Sequence, residues 1–237
     1  MKEIFFLTAF PEIITSVLSQ SILRKAKERG FVNYSVKNLF DYADPPHNRI
    51  DDYPFGGGVG MVIKPETVFR AMEEVLNEYS GTCKPRVVFP TPDGYLLKHE
   101  RAIDLAQDEC LVFICGHYKG IDQRIRDRFV MDEISIGDYV LTGGELPSIV
   151  ILDSVVRLIP GVINKYESAM TDSFSDPLLD FPHYTRPEMY RGMDVPEVLL
   201  SGNHNEIKKW RKINREVKTK ERRPDLWEKY NKIEKER

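Results

Sequence analysis

Cysteine is scarce in this 237-residue sequence, and the three present, Cys83, Cys110 and Cys115, form an odd set with no Cys-x-x-Cys pair. A disulfide framework and a cysteine-based zinc cluster are thereby excluded, and a reducing compartment, the cytoplasm, is expected. Long apolar runs are also missing. Ile4 to Leu7 and Cys110 to Cys115 fall far short of the roughly 20 residues of a membrane span, so no membrane partner is expected. The first residues place Glu3 beside Lys2 and reach Pro11-Glu12 before an apolar region builds, which argues against a signal peptide. There is no Gly-Lys dipeptide and no G-x-G-x-x-G, which excludes the familiar phosphate-binding loops. Internal repeats and low-complexity tracts are absent too.

What is present suits one large domain or a domain with a small satellite: 41% hydrophobic and 30% charged residues, with a net charge of −3. That small net charge conceals an asymmetry. Residues 201–237 carry 13 Lys and Arg against 7 Asp and Glu, a balance of +6, which leaves 21 against 30, or −9, for the first 200 residues. An acidic body with a basic appendage suggests a polyanionic partner, although a solvated helix face explains the charge equally well.

Up to about residue 160, short apolar runs alternate with amphipathic stretches, the pattern of an α/β fold. Ile4 to Thr8 reads as a strand, and Pro11 opens a helix that runs to Arg29 and is closed by Gly30. Val32, Tyr34 and Val36 alternate as a second strand. Pro65 begins a helix with Val68, Met72, Val75 and Tyr79 on one face, ending near Gly81. Strands follow at Arg86 to Phe89 and Leu111 to Cys115, and the helical stretch Leu97 to Gln107 between them makes the two parallel. Glu145 to Ile159 is apolar around nearly its whole circumference, so it must be buried on all sides, inside the domain or against a second subunit. Periodicity stops from Pro160 to Pro182, a linker or mobile loop. Beyond it, Asn203 to Glu206 has capping-box spacing. Ile207, Trp210, Ile213 and Val217 form a stripe opposite outward-facing Lys208, Lys209, Arg211, Lys212 and Arg215.

The densest local signal is Asp51-Asp52-Tyr53-Pro54-Phe55-Gly56-Gly57-Gly58-Val59-Gly60-Met61. Four glycines in five positions permit positive φ or close backbone approach to a ligand, and the flanking Tyr, Phe and Met argue for a segment that packs. Three further glycine-bearing loops leave consecutive predicted strands at Thr91 to Gly94, Gly116 to Gly120 and Ile136 to Glu145. Ligands of open α/β sheets lie outside the strands' carboxyl ends, so these loops are candidates for one pocket, with backbone groups suited to a nucleobase edge. Arg157, at the end of the apolar helix, has Asp153 one turn earlier as its ordinary partner. Asp172 is by default a turn-forming or capping carboxylate.

Taken in order, several segments resemble one family: Phe10-Pro11-Glu12, Asp51 to Gly58, Cys115-Gly116-His117-Tyr118, Ser135 to Leu141, Asp172-Ser173-Phe174, His183-Tyr184-Thr185-Arg186-Pro187 and Leu199 to His204. Together they are similar to the bacterial tRNA (guanine-N1)-methyltransferases, in order to about Trp227. The resemblance implies an α/β, deep-trefoil-knotted, parallel-sheet methyltransferase domain over 1–160. A flexible linker over 161–182 and a small all-helical, basic tRNA-binding domain over 183–237 complete the chain. It implies transfer of methyl from S-adenosylmethionine to N1 of the guanosine immediately 3′ of the anticodon in tRNA. It also implies a homodimer whose active sites are shared between subunits.

Residue by residue, the family's cofactor loops match Phe89, Pro90, Thr91, Pro92 and Gly94, then Gly116 and Tyr118. The third loop matches Ser135, Ile136, Gly137, Tyr139, Val140, Leu141, Gly143 and Gly144, with Pro147 beyond. Asp172 matches the general base and Arg157 the partner of the guanine. Base recognition falls to Asp52, Gly57, Gly58, His117, Ser168 and Asp180, and phosphate contacts to Lys208, Arg211 and Arg215. The resemblance allows Mg2+ as a second cofactor with no ligands assigned. Lys119, standing where many members have an acid, argues against it, because an ammonium repels a cation. A knotted methyltransferase for another RNA and a non-catalytic RNA-binding module are the rival readings. The first is disfavoured by the Asp172 to Phe174 and His183 to Thr185 segments, and the second predicts no cofactor pocket.

Overall fold

The computed structural model describes residues 1–163, 173–174 and 176–236, which fall into two compact units, Met1–Asn164 and Lys165–Arg237. In the first unit the chain runs β1 (Lys2–Thr8), α1 (Pro11–Leu18), α2 (Ser21–Glu28), β2 (Val32–Asn38), β3 (Asp51–Asp52), β4 (Val62–Ile63) and α3 (Pro65–Glu78). It continues through β5 (Arg86–Leu96), α4 (His99–Leu105), β6 (Cys110–Ile114), α5 (Gln123–Phe129), β7 (Asp132–Ser135) and α6 (Glu145–Val156). Five strands form one sheet in the order β2-β1-β6-β5-β7, and every pairing in it is parallel.

Parallel strands need crossovers, and the helices in those crossovers cover both faces of the sheet. The two-residue period of β1 and β6 assigns their side chains to the two layers. Ile4, Phe6, Leu111, Phe113 and Cys115 pack with Ile14, Leu18, Leu23, Ala26, Ala102, Leu105, Ile151 and Val155 on one side. Phe5, Leu7, Val112 and Ile114 pack with Val68, Met72, Val75 and Ile125 on the other. All five residues of β6 are buried, as expected of a central parallel strand.

Three sequence-based expectations change here. The single helix predicted from Pro11 to Arg29 is two helices, interrupted at Ser19 and Gln20, with Ser21 at φ +45°. The break turns the chain so that Ile14 and Leu18 of one helix and Leu23 and Ala26 of the next enter the same core. The strand predicted to stop at Phe89 resumes beyond Thr91 to Gly94, which form a register shift between Pro90 and Tyr95, both paired with Ile134. A Cβ on Gly94 would lie 2.5 Å from the Glu133 carbonyl carbon, so this glycine lets β5 run directly over β7. Finally, α6 is not covered all round within the single chain. Ile151, Leu152, Val155 and Val156 are buried, whereas Leu146 and Val150, one turn apart, are exposed, as are Phe10 and Ile13 at the start of α1.

The second unit contains a short hairpin, β8 (Met189–Tyr190) with β9 (Met193–Asp194), then α7 (Glu197–Leu200), α8 (His204–Arg222) and α9 (Pro224–Lys235). The hairpin departs from the all-helical expectation. Asn203 caps α8 through hydrogen bonds accepted from the Asn205 and Glu206 amides, but its own N–H donates to Ser201 Oγ rather than to Glu206, so only half of the predicted box forms. The predicted apolar stripe is covered only in part, since Ile213 and Val217 are exposed while Thr219 is buried.

Candidate active site

The carboxyl ends of β6, β5 and β7 lie side by side, and the segments beyond them enclose a cleft of about 340 Å3. Its walls are Phe89 to Pro92, Gly116 to Gly120, Ile134 to Gly137, Tyr139 to Gly144, and Pro147. Every residue matched to the family's cofactor loops lies on this cleft except Gly94, which packs on β7. His117 lines it as well, together with Lys119, Gly120, Ile134 and Thr142.

Glycine is required where these segments cross. Gly144, the residue before α6, donates its N–H to the Gly116 carbonyl at 2.6 Å. A Cβ there would stand 2.7 Å from the Gly116 nitrogen and 2.8 Å from Cys115 Cα, both backbone atoms that cannot move aside. A Cβ on Gly116 would lie 2.8 Å from the Phe89 ring, and one on Gly143 would strike the His117 ring and the Glu145 carboxylate. The cleft therefore has a backbone floor, open to an occupant that needs amide and carbonyl groups close at hand.

Its outer wall is braced from α5. The Arg126 guanidinium donates two hydrogen bonds to Glu133, both at 2.7 Å, and one to Asp93 at 2.8 Å, and it lies 5.4 Å above the Phe89 ring. The Thr91 hydroxyl and then Arg126 hold the Asp93 carboxyl below the usual carboxylate range. Beneath the cleft, Cys115 Sγ lies 3.3 Å from Ser148 Oγ, and burial pushes the thiol far above its ordinary range, which favours the neutral thiol.

The glycine-rich segment is tied to the same cleft. Lys119 donates its N–H to the Met61 carbonyl and Ile63 donates to the Gly120 carbonyl, at 2.9 and 3.0 Å. Burial, and then the carboxylate of Asp51, raise the pKa of Tyr118, whose backbone is left-handed at φ +59°. Between these ties the segment projects outward. Gly56, Gly57, Gly58 and Gly60 all have positive φ, and Asp52, Gly57 and Gly58 are exposed. Tyr53, Phe55 and Val59 are exposed as well, whereas Met61 is half-buried, so of the flanking Tyr, Phe and Met expected to pack only Met61 does so here.

The other predicted residues lie elsewhere. Arg157 follows α6 directly and donates its backbone N–H to the Asp153 carbonyl at 3.2 Å. Asp172 and Ser168 lie outside the described residues. Asp180 sits 2.8 Å from His183 Nε2 and accepts the Phe181 N–H. On α8, Lys208 is exposed and Arg211 stacks over the Phe181 ring at 4.7 Å. Arg215 does not face outward as predicted: it donates to the Leu179 carbonyl at 3.2 Å and pairs with Asp176. Glu145 was not singled out by sequence reasoning, yet it is a buried carboxylate beside the cleft; its signal was an acid following two glycines at the head of an apolar helix.

A parallel sheet with a glycine-floored cleft at the carboxyl ends of three adjacent strands defines an α/β protein built to hold a ligand at that edge. Comparison with known proteins makes the class specific. The family model for tRNA (guanine-1)-methyltransferase TrmD matches residues 1–229. A tRNA (guanine-N(1)-)-methyltransferase of Staphylococcus epidermidis is 52% identical over 236 residues, covering 99% of this chain and 94% of that protein. One from Bacillus subtilis is 53% identical over 224 residues, covering 94% and 91% respectively. The chain belongs to the tRNA (guanine-1)-methyltransferase family and is a methyltransferase.

Proposed function

We propose that this chain transfers a methyl group from S-adenosylmethionine to N1 of the guanosine immediately 3′ of the anticodon, position 37 of tRNA, with Asp172 as general base and Arg157 stabilising O6. The observation that carries this reading is the cleft, whose walls bring together almost the whole set of residues matched to the family's cofactor loops. Its residues fit the cofactor. The volume, about 340 Å3, is that of a small-molecule site. The floor of Gly116, Gly143 and Gly144 is a cradle that side chains would fill, and Lys119 at the wall offers an ammonium to the cofactor's carboxylate.

When bound there, S-adenosylmethionine supplies an electrophilic methyl group. Guanine N1 carries a proton and is a poor nucleophile, so the base must take that proton as the new bond forms, the work assigned to Asp172. Charge then develops toward O6, where the guanidinium of Arg157 stabilises it. For Mg2+ the fit is poor: among the described residues no group of three or more His, Cys, Asp and Glu could hold a metal ion, and Lys119 adds a like charge to the cleft. No step is assigned to it.

The exposed apolar residues Leu146 and Val150 of α6, with Phe10 and Ile13 exposed at the start of α1, support a homodimer in which one subunit's base and linker close over the other's cleft. Exposed Lys208 and Arg211 support phosphate contacts from the second unit, and the deep trefoil knot remains part of the reading on the family resemblance alone. No helix among the described residues is long and apolar enough to cross a membrane.

The test is transfer of labelled methyl to an unmodified tRNA transcript beside the same transcript with that guanosine changed to adenosine. Label in the first alone is the expected result, and label in both would move the target elsewhere. Arg126→Ala should weaken S-adenosylmethionine binding about three- to tenfold in an equilibrium titration, the loss of a few hydrogen bonds that brace the wall. Asp93, held low, contributes to that brace above its unfolded pKa and releases it only as the pH falls below the ordinary carboxylate range.

A further inference from the structure

One buried charge beside the cleft has no part in the chemistry proposed above. Glu145 opens α6 directly after Gly143 and Gly144 of the cleft floor and is 2% exposed. One carboxylate oxygen accepts a hydrogen bond from the hydroxyl of Thr8, itself fully buried, at 2.6 Å. The other faces His117 Nε2 at 3.6 Å, beyond hydrogen-bonding distance. Among the described residues no lysine or arginine pairs with it. A hydroxyl cannot balance a negative charge, and an imidazole does so only when protonated.

A carboxylate so placed is costly, because burial strips its hydration and no opposite charge replaces it. The N-terminus of α6 offsets part of that cost, since it favours negative charge, but it leaves the second oxygen without a close donor. That oxygen lies against the cleft wall at Gly143, where a Cβ would stand 2.5 Å from it. The glycine therefore puts no side chain between the carboxylate and an occupant. The charge is also felt on the buried side: burial, and then the Glu145 carboxylate, raise the pKa of the Cys115 thiol. S-adenosylmethionine has a cation to offer there. Its sulfonium bears the methyl group, so it belongs where the cofactor loops meet a residue matched to base recognition. His117 is the residue lining the cleft that carries that match, and Glu145 is the carboxylate facing it.

We propose that Glu145 is a specificity-determining residue for the cofactor: its carboxylate attracts the sulfonium charge and so selects S-adenosylmethionine over S-adenosylhomocysteine, the neutral thioether left after transfer. This rests on the methyl-transfer reading above. The attraction acts through a wall shielded from water, where charges interact more strongly than in bulk solvent. It vanishes with the positive charge, so the spent cofactor is held less tightly than the fresh one.

The experiment is calorimetric titration of the whole chain without tRNA, so that recognition of the base does not enter. The two ligands share adenosine, ammonium and carboxylate and differ only in the sulfonium and its methyl group. An analogue with an ammonium group in place of the sulfonium carries the charge without the sulfur. The wild type should bind S-adenosylmethionine and that analogue about tenfold or more tighter than S-adenosylhomocysteine, a ratio well within the reach of one shielded charge pair. In Glu145→Gln, which keeps the size of the side chain and an acceptor for Thr8, the ratio should fall to about one through weaker binding of the cationic ligands alone. Glu145→Asp, which keeps the charge, should retain part of the preference. Unchanged binding of S-adenosylhomocysteine checks that the variants fold. Equal affinity of the wild type for the two adenosyl ligands, an undiminished preference in Glu145→Gln, or an equal loss of both ligands would each overturn the proposal. Failure of the wild type to bind either ligand would instead overturn the cofactor reading on which it rests.

Discussion

Asp172→Ala should lower the single-turnover rate of methyl transfer to tRNA by about 10²- to 10⁴-fold, the usual contribution of a positioned general base, while S-adenosylmethionine and tRNA still bind. Asp172→Asn should be nearly as slow, because an amide matches the shape of the carboxylate and cannot take the N1 proton. Asp172→Glu should retain part of the rate, since the base is kept and only its reach changes. The measurement is a quench time course with enzyme in excess over labelled transcript. A rate within a few-fold of wild type for the alanine variant would remove Asp172 from the chemistry and leave it the turn-forming carboxylate that its local sequence suggests.

Gly144→Ala should damage the floor of the cleft directly. The new Cβ meets the Gly116 nitrogen and Cys115 Cα, backbone atoms at the end of a fully buried strand. Overpacking of this kind costs about 1–3 kcal/mol, equivalent, if all of it falls on the occupied cleft, to roughly five- to 150-fold in binding. Calorimetric titration with S-adenosylmethionine should show that loss, and circular dichroism should show that the sheet survives. The two variants also test whether active sites are shared. If the base of one subunit serves the cleft of the other, mixed Asp172→Ala and Gly144→Ala chains give heterodimers with one intact and one doubly damaged site. After random exchange, about a quarter of wild-type activity should return, because half the dimers are mixed and each has one working site. No recovery after demonstrated exchange would place base and cleft in the same subunit.

Much of this architecture was legible in the sequence, because a parallel sheet declares itself through buried runs such as Cys110 to Ile114 and through proline-opened helices such as Pro65–Glu78. The interruption at Ser19 and Gln20 was not: the apolar spacing continues across it, and neither glycine nor proline marks it. The resumption of β5 was hidden for the opposite reason. Pro90, Pro92 and Gly94 read as an end to pairing, whereas a shift of register lets the strand continue. In the cleft, glycine clusters at predicted strand ends were sufficient to mark the three loops. Glu145 and Arg126 were not, since an acid at a helix start and an arginine on a short helix look like ordinary surface charge until the fold brings them against His117 and Phe89. Arg215 misled because one helical face was read as uniformly solvent-directed, when the segment containing Asp176 and Leu179 lies against part of it. The proposed knot cannot be read from periodicity, which carries no information on threading.

The sheet order also bears on how the chain comes to be made. β1 has β2 on one edge, and its other edge belongs to β6, pairing Glu3 with Cys110 and Leu7 with Ile114. During synthesis the first strand to emerge must therefore wait for most of its unit before it is enclosed, and closing so distant a pair is slow. In that interval it presents one bare edge and residues destined for the core on both faces, Phe5 and Leu7 on one, Ile4 and Phe6 on the other. A nascent chain halted before Ile114 is thus a template for strand pairing with its neighbours on the same message.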